Sequence, residues 1–220
     1  MELYYRKMGE GEPLIILHGL YGSSDNWMSV GKKLAGQYQV YLVDQRNHGK
    51  SPHSTKHNYY VMRDDLMEFM EKHQIDRATL LGHSMGGKTA LFFAVQHPEK
   101  LKRLVVLDIA PIAYQMLTNP SSQVLNHLNI LNALFNLDVE NIGNIKEADD
   151  QLAQTIPYQK VRQFLLKNLK RKDSGTFHWL LNVQALRNEL PNIMAGLDPD
   201  DPNNTLTAND LPILFIKGEK

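Results

Sequence analysis

The chain of 220 residues is long enough to bury one substantial hydrophobic core, as a single domain or as a domain with an inserted subdomain. Lys+Arg and Asp+Glu both total 24, so no overall positive field draws in nucleic acid or anionic lipid, and small-molecule chemistry is favoured. The absence of cysteine excludes a disulfide scaffold, a thiolate nucleophile and a cysteine zinc site.

The opening stretch MELYYRKMGEGE mixes charges and lacks the apolar region of about 7 to 15 residues that marks a signal peptide. No run of ~18 apolar residues follows, so the expectation is a soluble, cytoplasmic protein with no membrane insertion. Leu14–Leu17 then reads as a strand, Trp27–Leu34 as a helix and Val40–Val43 as a strand. Tyr59–Met70 reads as a helix, Thr79–Leu81 as a strand, Gly86–Val95 as a helix and Leu104–Leu107 as a strand. This alternation predicts an α/β fold built on a mostly parallel, doubly wound sheet. Within Tyr59–Met70, Met62, Leu66, Phe69 and Met70 share an apolar face, while Arg63, Asp64, Asp65, Glu68 and Glu71 populate the other.

After Pro111 the alternation stops, and residues to about 205 read as helices joined by polar breaks before LPILFIKG returns as a buried strand. The expected organisation is a core over 1–110, a helical cap over 111–204, and a core strand over 205–220 that leaves the sheet incomplete. Such a cap lies over the carboxyl ends of the strands, where open α/β sheets bind ligands.

The chemistry concentrates at LLGHSMGGK. Gly82-His83-Ser84-Met85-Gly86 fits G-x-S-x-G, weak alone but placed after an apolar strand and before a helix, the setting of a nucleophile on a strained turn. The Met85 amide at the helix start is the expected first oxyanion donor, and the Leu20 amide, in the loop after Leu14–Leu17, the second. His18 and His83 flank these positions and read as structural. Asp108 ends the strand LKRLVVLDIAP beside the turn and can orient an imidazole, or can cap the following turn; Glu219 is the competing acid. A base is expected after the acid and the last strand, and none of the nine histidines stands there. His48, His53 and His57 have a spacing that weakly suggests metal ligation, but no companion carboxylate motif accompanies them, and neither metal nor cofactor is expected.

Taken together, HGLYGSSDNW, VDQRNHGKSP, LLGHSMGGKTA and LVVLDIAP resemble the bacterial YbfF-like esterases of the α/β-hydrolase superfamily, relatives of the mitochondrial abhydrolase-domain protein 11. The resemblance spans most of the chain, with WLLNVQALRNELPNI its closest stretch in the cap. It implies the α/β-hydrolase fold and a serine carboxylesterase or thioesterase acting on short to medium acyl groups, with Ser84 as nucleophile and Asp108 as acid. It also implies a histidine some tens of residues beyond Lys220, and a last strand and helix missing from this C-terminally truncated sequence.

The expected partner is a small ester or acyl thioester. Tyr21 and Trp179 are expected to line the acyl pocket. The stretch KVRQFLLKNLKRKDSG carries basic residues around an apolar face of Val161, Phe164, Leu165 and Leu169; it is either a solvated helix face or a site for the phosphates of a CoA thioester, with Lys170 and Arg171 in contact. Rival readings are a C–C bond hydrolase or synthase with the same turn and cap, and a catalytically silent ligand-binding member of the fold. A haloalkane dehalogenase needs a carboxylate where Ser84 stands.

Overall fold

The computed structural model describes residues 1–113, 123–198, 200–201 and 211–218, with side chains of its fourth helix from residue 125 onward. In chain order the elements are β1 Tyr5–Met8, β2 Glu12–Leu17, α1 Met28–Leu34, β3 Tyr38–Val43, α2 Tyr59–Lys72, β4 Ala78–His83, α3 Met85–Gln96 and β5 Leu101–Leu107. There follow α4 Gln123–Asn136, α5 Ile145–Leu152, α6 Gln159–Leu166, β6 Leu169–Arg171, β7 Phe177–Trp179, α7 Val183–Asn188, α8 Leu190–Met194 and β8 Ile213–Ile216.

The described strands form a six-stranded sheet in the order β1, β3, β2, β4, β5, β8. Only β1 runs antiparallel to its neighbour; every other pairing is parallel, as the strand and helix alternation predicts. The sheet is wound on both faces because its strands alternate. Leu14, Ile16, Val40 and Leu42 face α1, while Ile15, Leu17, Tyr41 and Val43 face α2 and α3. Leu17, Val43, His83, Leu107 and Ile216 all end strands on the same edge. β8 borders the described sheet, and Leu214, Phe215 and Ile216 on it are about half exposed.

Asn58 caps α2 by accepting the Val61 amide at 3.0 Å, and the expected apolar face of Met62, Leu66, Phe69 and Met70 is buried. Asp65 departs from the sequence reading. It is buried, not solvated, because it accepts two hydrogen bonds from the Arg46 guanidinium, at 2.5 and 2.8 Å.

The described residues between β5 and β8 lie over the carboxyl edge of the sheet. Their chain crossings sit side by side: the Leu197 amide donates to the Pro111 carbonyl at 2.8 Å, and Gly196 packs on the backbone of residues 111–113 with no room for a side chain. The apolar cluster of this cap, with Leu131, Leu165 and Leu186 fully buried, is continuous with Leu20, Tyr21, Met85 and Phe92 of the core. The cap is not wholly helical, as the sequence reading had it. α6 ends at Leu166, and Leu169, expected on that helix's apolar face, belongs to a hairpin in which β6 pairs antiparallel with β7. A turn at Gly175, at φ +91°, closes the hairpin, and the Lys172 amide donates to the Thr176 carbonyl at 2.7 Å. No helix among the described residues is long and apolar enough to cross a membrane.

The loop between β3 and α2 brings buried polar groups under the same edge. His18, His48 and His57 follow one another with ring centroids 5.1 and 5.5 Å apart. His18 Nε2 accepts the Gln45 amide at 3.0 Å, so its proton sits on Nδ1 and is donated to the Gly19 carbonyl at 2.9 Å. His48 repeats the pattern, accepting the Tyr21 amide at 3.3 Å and donating to the Arg46 carbonyl at 2.9 Å. Burial, reinforced by the neighbouring imidazoles, depresses the pKa of His48 well below its ordinary value; burial likewise lowers His18, and takes His57 down to about 3.

Two consequences can be measured. Each imidazole is neutral when folded and takes up a proton when unfolded below about pH 6.5, so stability is fully present above that pH and falls as the pH drops. The slope approaches about 1.4 kcal/mol per pH unit for each histidine in that state. Urea titrations at pH 7.5 and 5.5 are expected to show this loss, reduced in His48→Gln; equal stability at both pH values would contradict it. Asp65→Ala, which strands the Arg46 guanidinium, is expected to lower stability by about 3 to 5 kcal/mol.

Candidate functional site

Ser84 joins β4 to α3 on a turn that few residues can make. Its backbone sits at φ +51°, ψ −119°, a conformation costing a non-glycine residue on the order of 1 to 3 kcal/mol. The surrounding contacts hold it: the Ser84 amide donates to the Leu107 carbonyl at 3.0 Å, and its carbonyl accepts the Lys88 amide at 3.1 Å. Gly82 and Gly86 are required by space. A side chain at Gly82 would strike the Gly86 backbone, and one at Gly86 would strike the carbonyls of Leu17 and His18. The turn is thereby wedged against the neighbouring strand end.

The loop after β2 passes directly beside the Ser84 side chain. A Cβ built on Gly19 would lie 3.2 Å from Ser84 Cβ and 2.8 Å from His83 Nδ1, so only glycine lets the backbone approach this closely. The next residues form a turn closed by the Gly22 amide to the Gly19 carbonyl at 2.9 Å. Leu20 and Met85, the two sequence-predicted donors, therefore lie on the two segments that meet at Ser84. Neither amide has a hydrogen-bond acceptor among the described residues. Met85 opens a helix of twelve residues, whose N-terminal dipole adds positive potential at the same place.

Asp108 sits one strand over, at the end of β5, at φ +53°. Its amide donates to the Ile216 carbonyl at 2.8 Å and its carboxylate accepts the Gly218 amide at 3.2 Å. Burial lowers the pKa of His83, and the Asp108 carboxylate raises it by less. Glu219 lies outside the described residues. All nine histidines lie within them, and none hydrogen-bonds to Ser84 or Asp108.

Two cavities open on Ser84. The larger, about 400 Å³, is lined by Leu20, Trp27, Val30, His83, His127 and Phe164 among others. The smaller, about 30 Å³, reaches past Met85 to Tyr59, Ile109 and Ile193. Among the described residues lining these two, neither Tyr21 nor Trp179 appears. Tyr21 is buried behind the loop with its hydroxyl on His127 Nδ1 at 3.2 Å, and Trp179 packs within the cap, its indole N–H on the Leu134 carbonyl at 3.2 Å. Lys170 and Arg171 lie exposed on the β6–β7 hairpin, and the Arg171 Nε donates to the Gly175 carbonyl at 2.8 Å. No group of His, Asp or Glu that could hold a metal occurs among the described residues.

Sequence reasoning takes His127 for a cap residue that packs or faces water, and passes over Lys88. His127 borders both cavities from the cap, a placement that spacing along the chain gives no means of seeing. Lys88 had a visible signal, a cation inside an otherwise apolar helix. It is buried, burial lowers its pKa to about 8, and its ammonium donates to the carbonyls of Ala195 and, at 3.5 Å, Met194 at the cap's exit.

Comparison with known proteins agrees with this fold. Residues 12–219 match the family model described as the alpha/beta hydrolase fold. The chain is 36% identical over 214 residues to a Danio rerio protein named sn-1-specific diacylglycerol lipase ABHD11, covering 96% of this chain and 64% of that one. It is 32% identical over 206 residues to esterase YbfF of Escherichia coli, covering 94% of this chain and 73% of that protein. A solved marine microorganism esterase superposes with a TM-score of 0.91 at 45% identity, over 99% of this chain and 81% of that one. The chain thus spans about 64% of the length of the first of these relatives. It belongs to the alpha/beta hydrolase fold family, among relatives named as esterases and lipases.

Proposed function

We propose that the protein is a serine hydrolase that cleaves carboxylic esters or thioesters of short to medium acyl chains through an acyl-enzyme. The observation that carries this reading is the position of Ser84: a strained turn at a helix N-terminus, with the Gly19 backbone in contact and the Leu20 and Met85 amides without acceptors. In this reading Ser84 Oγ attacks the acyl carbon while a histidine takes its proton. The carbonyl oxygen becomes an oxyanion held by the Leu20 and Met85 amides. The C–O or C–S bond then breaks, the leaving alcohol or thiol taking the proton from the histidine. Water, deprotonated by the same base, releases the acid and restores Ser84.

Asp108 is the acid in this scheme, since it lies at the neighbouring strand end and already accepts a backbone amide that fixes its orientation. The base must be a histidine bonded to both Ser84 and Asp108, and no histidine of the 220 residues occupies that place. We assign the base to a part of the protein outside this sequence, which spans 64% of a lipase relative. The apolar lining of the larger cavity, from Leu20, Trp27, Val30 and Phe164, suits an alkyl or acyl chain.

In the full-length protein, Ser84→Ala is expected to lower turnover of a p-nitrophenyl ester on the order of 10⁶-fold and to abolish fluorophosphonate labelling. Asp108→Asn is expected to cost about 10⁴-fold while labelling slows but persists. Residues 1–220 alone should hydrolyse the ester barely above buffer. Robust turnover by those residues would overturn the assignment of the base, and an unlabelled full-length protein would favour a ligand-binding role.

A further inference from the structure

We infer that Asn168, in the cap and distant in sequence from Ser84, is a positioning residue for the loop that carries the Leu20 amide. The inference rests on the esterase reading of Ser84. The loop's shape depends on Tyr21, which stands third in the turn Gly19–Gly22 at φ +64°. A bulky residue keeps that left-handed conformation only when its surroundings determine it.

Each polar group of Tyr21 is engaged. Its amide donates to His48 Nε2 at 3.3 Å, its carbonyl accepts Asn168 Nδ2 at 2.8 Å, and its hydroxyl meets His127 Nδ1 at 3.2 Å. Only the first partner belongs to the core; the other two come from the cap. The bond from Asn168 governs the peptide that follows Tyr21, so its loss frees the turn to relax toward negative φ. That rotation carries the Leu20 amide away from Ser84, which Gly19 otherwise holds in contact.

Asn168 is itself built into place. Its Nδ2 donates a second hydrogen bond to the Leu165 carbonyl at 3.2 Å, its amide donates to that same carbonyl at 3.0 Å, and its carbonyl accepts the Leu180 amide at 2.8 Å. The side chain is buried, so water does not replace a lost bond to Tyr21. A primary amide offers two donors on a short stem; aspartate offers none, and an apolar isostere leaves the Tyr21 carbonyl without this donor, while the Leu165 carbonyl keeps the Asn168 backbone amide.

Asn182 supplies the comparison that separates positioning from general docking of the cap. Its Nδ2 donates to Asn47 Oδ1 at 3.0 Å and to the Ser54 carbonyl at 3.2 Å, and its amide donates to the Asn47 carbonyl at 3.0 Å. These bonds also join cap to core, but they do not touch residues 19–22.

The experiment uses the full-length protein, with active sites titrated by a fluorophosphonate and kcat, KM and Tm measured on a p-nitrophenyl ester. Asn168→Ala is expected to lower kcat per titrated site by roughly 10- to 100-fold with KM changed less than about threefold, the signature of a displaced transition-state donor. Asn182→Ala is expected to lower Tm while kcat per titrated site stays within about threefold of wild type. Should Asn168→Ala not fold, Asn168→Ser, whose hydroxyl is a shorter single donor, carries the same comparison. Unchanged kcat in the Asn168 variant, or an equal loss in Asn182→Ala, would overturn the inference. A wild-type protein that resists labelling at Ser84 would instead bring down the esterase reading, and the inference with it.

Discussion

The backbone of Ser84 is held at a positive φ by its neighbours and by nothing in its own chemistry. A serine released from them relaxes to an ordinary turn or joins α3, and its hydroxyl then points elsewhere. What prevents this is the closeness of three backbones: the elbow wedged against Leu17 and His18, the turn tied to the end of β5 through Leu107, and Gly82 stacked on Gly86. The parallel sheet supplies that closeness, because β2, β4 and β5 end at one level. Strain at one residue is balanced by packing across three strands, which is why the fold and the site are not separable here.

Buried imidazoles carry the support one step outward. A loop crossing a sheet edge leaves backbone amides and carbonyls that need partners away from water. Neutral histidine is suited to the task, since one ring nitrogen accepts while the other donates. His18 and His48 each join an amide to a carbonyl in this way, and His48 thereby fixes the amide of Tyr21. Protonation would turn the acceptor nitrogen into a second donor facing an N–H group. The depressed pKa values are therefore the electrostatic expression of a hydrogen-bond arrangement, with burial as their main cause.

The parts of the fold that the sequence shows plainly are those with a local cause. Strand alternation places β2 to β5, the helical period gives the buried face of α2, and the glycines around Ser84 mark its turn. Asp65 was misread because its burial depends on Arg46, nineteen residues earlier in a loop, and a period cannot register a remote ion pair. The β6–β7 hairpin was missed because LKNLKRKDSG has few apolar residues to set a period of two, and pairing of Leu169 with Trp179 gives it its strand character. His127 stayed invisible for a like reason, its position beside Ser84 being fixed by the folding of the cap. RNHGKSP was legible as a family signature but not as a structural element. Its Asn47 and His48 turn out to connect the cap and the Leu20 loop to the sheet.

On the proposed reading, the same connections bear on how substrate reaches Ser84. Lifting the cap as a body would break the bonds of Asn182 to Asn47, of Lys88 to the carbonyls of Met194 and Ala195, and of Asn168 to Tyr21. It would also split an apolar cluster that includes Met85 and Phe92 of the core together with Leu131 and Leu165 of the cap. Each of these costs free energy, and the last bond named would disturb the Leu20 loop as the site opened. The larger cavity, lined by Trp27, Val30 and Phe164 among others, reaches Ser84 without any of these bonds being broken, and Val30 on it is exposed. On the proposed reading, an acyl chain that enters through that cavity leaves the Tyr21 turn clamped between core and cap, with the Leu20 and Met85 amides in place.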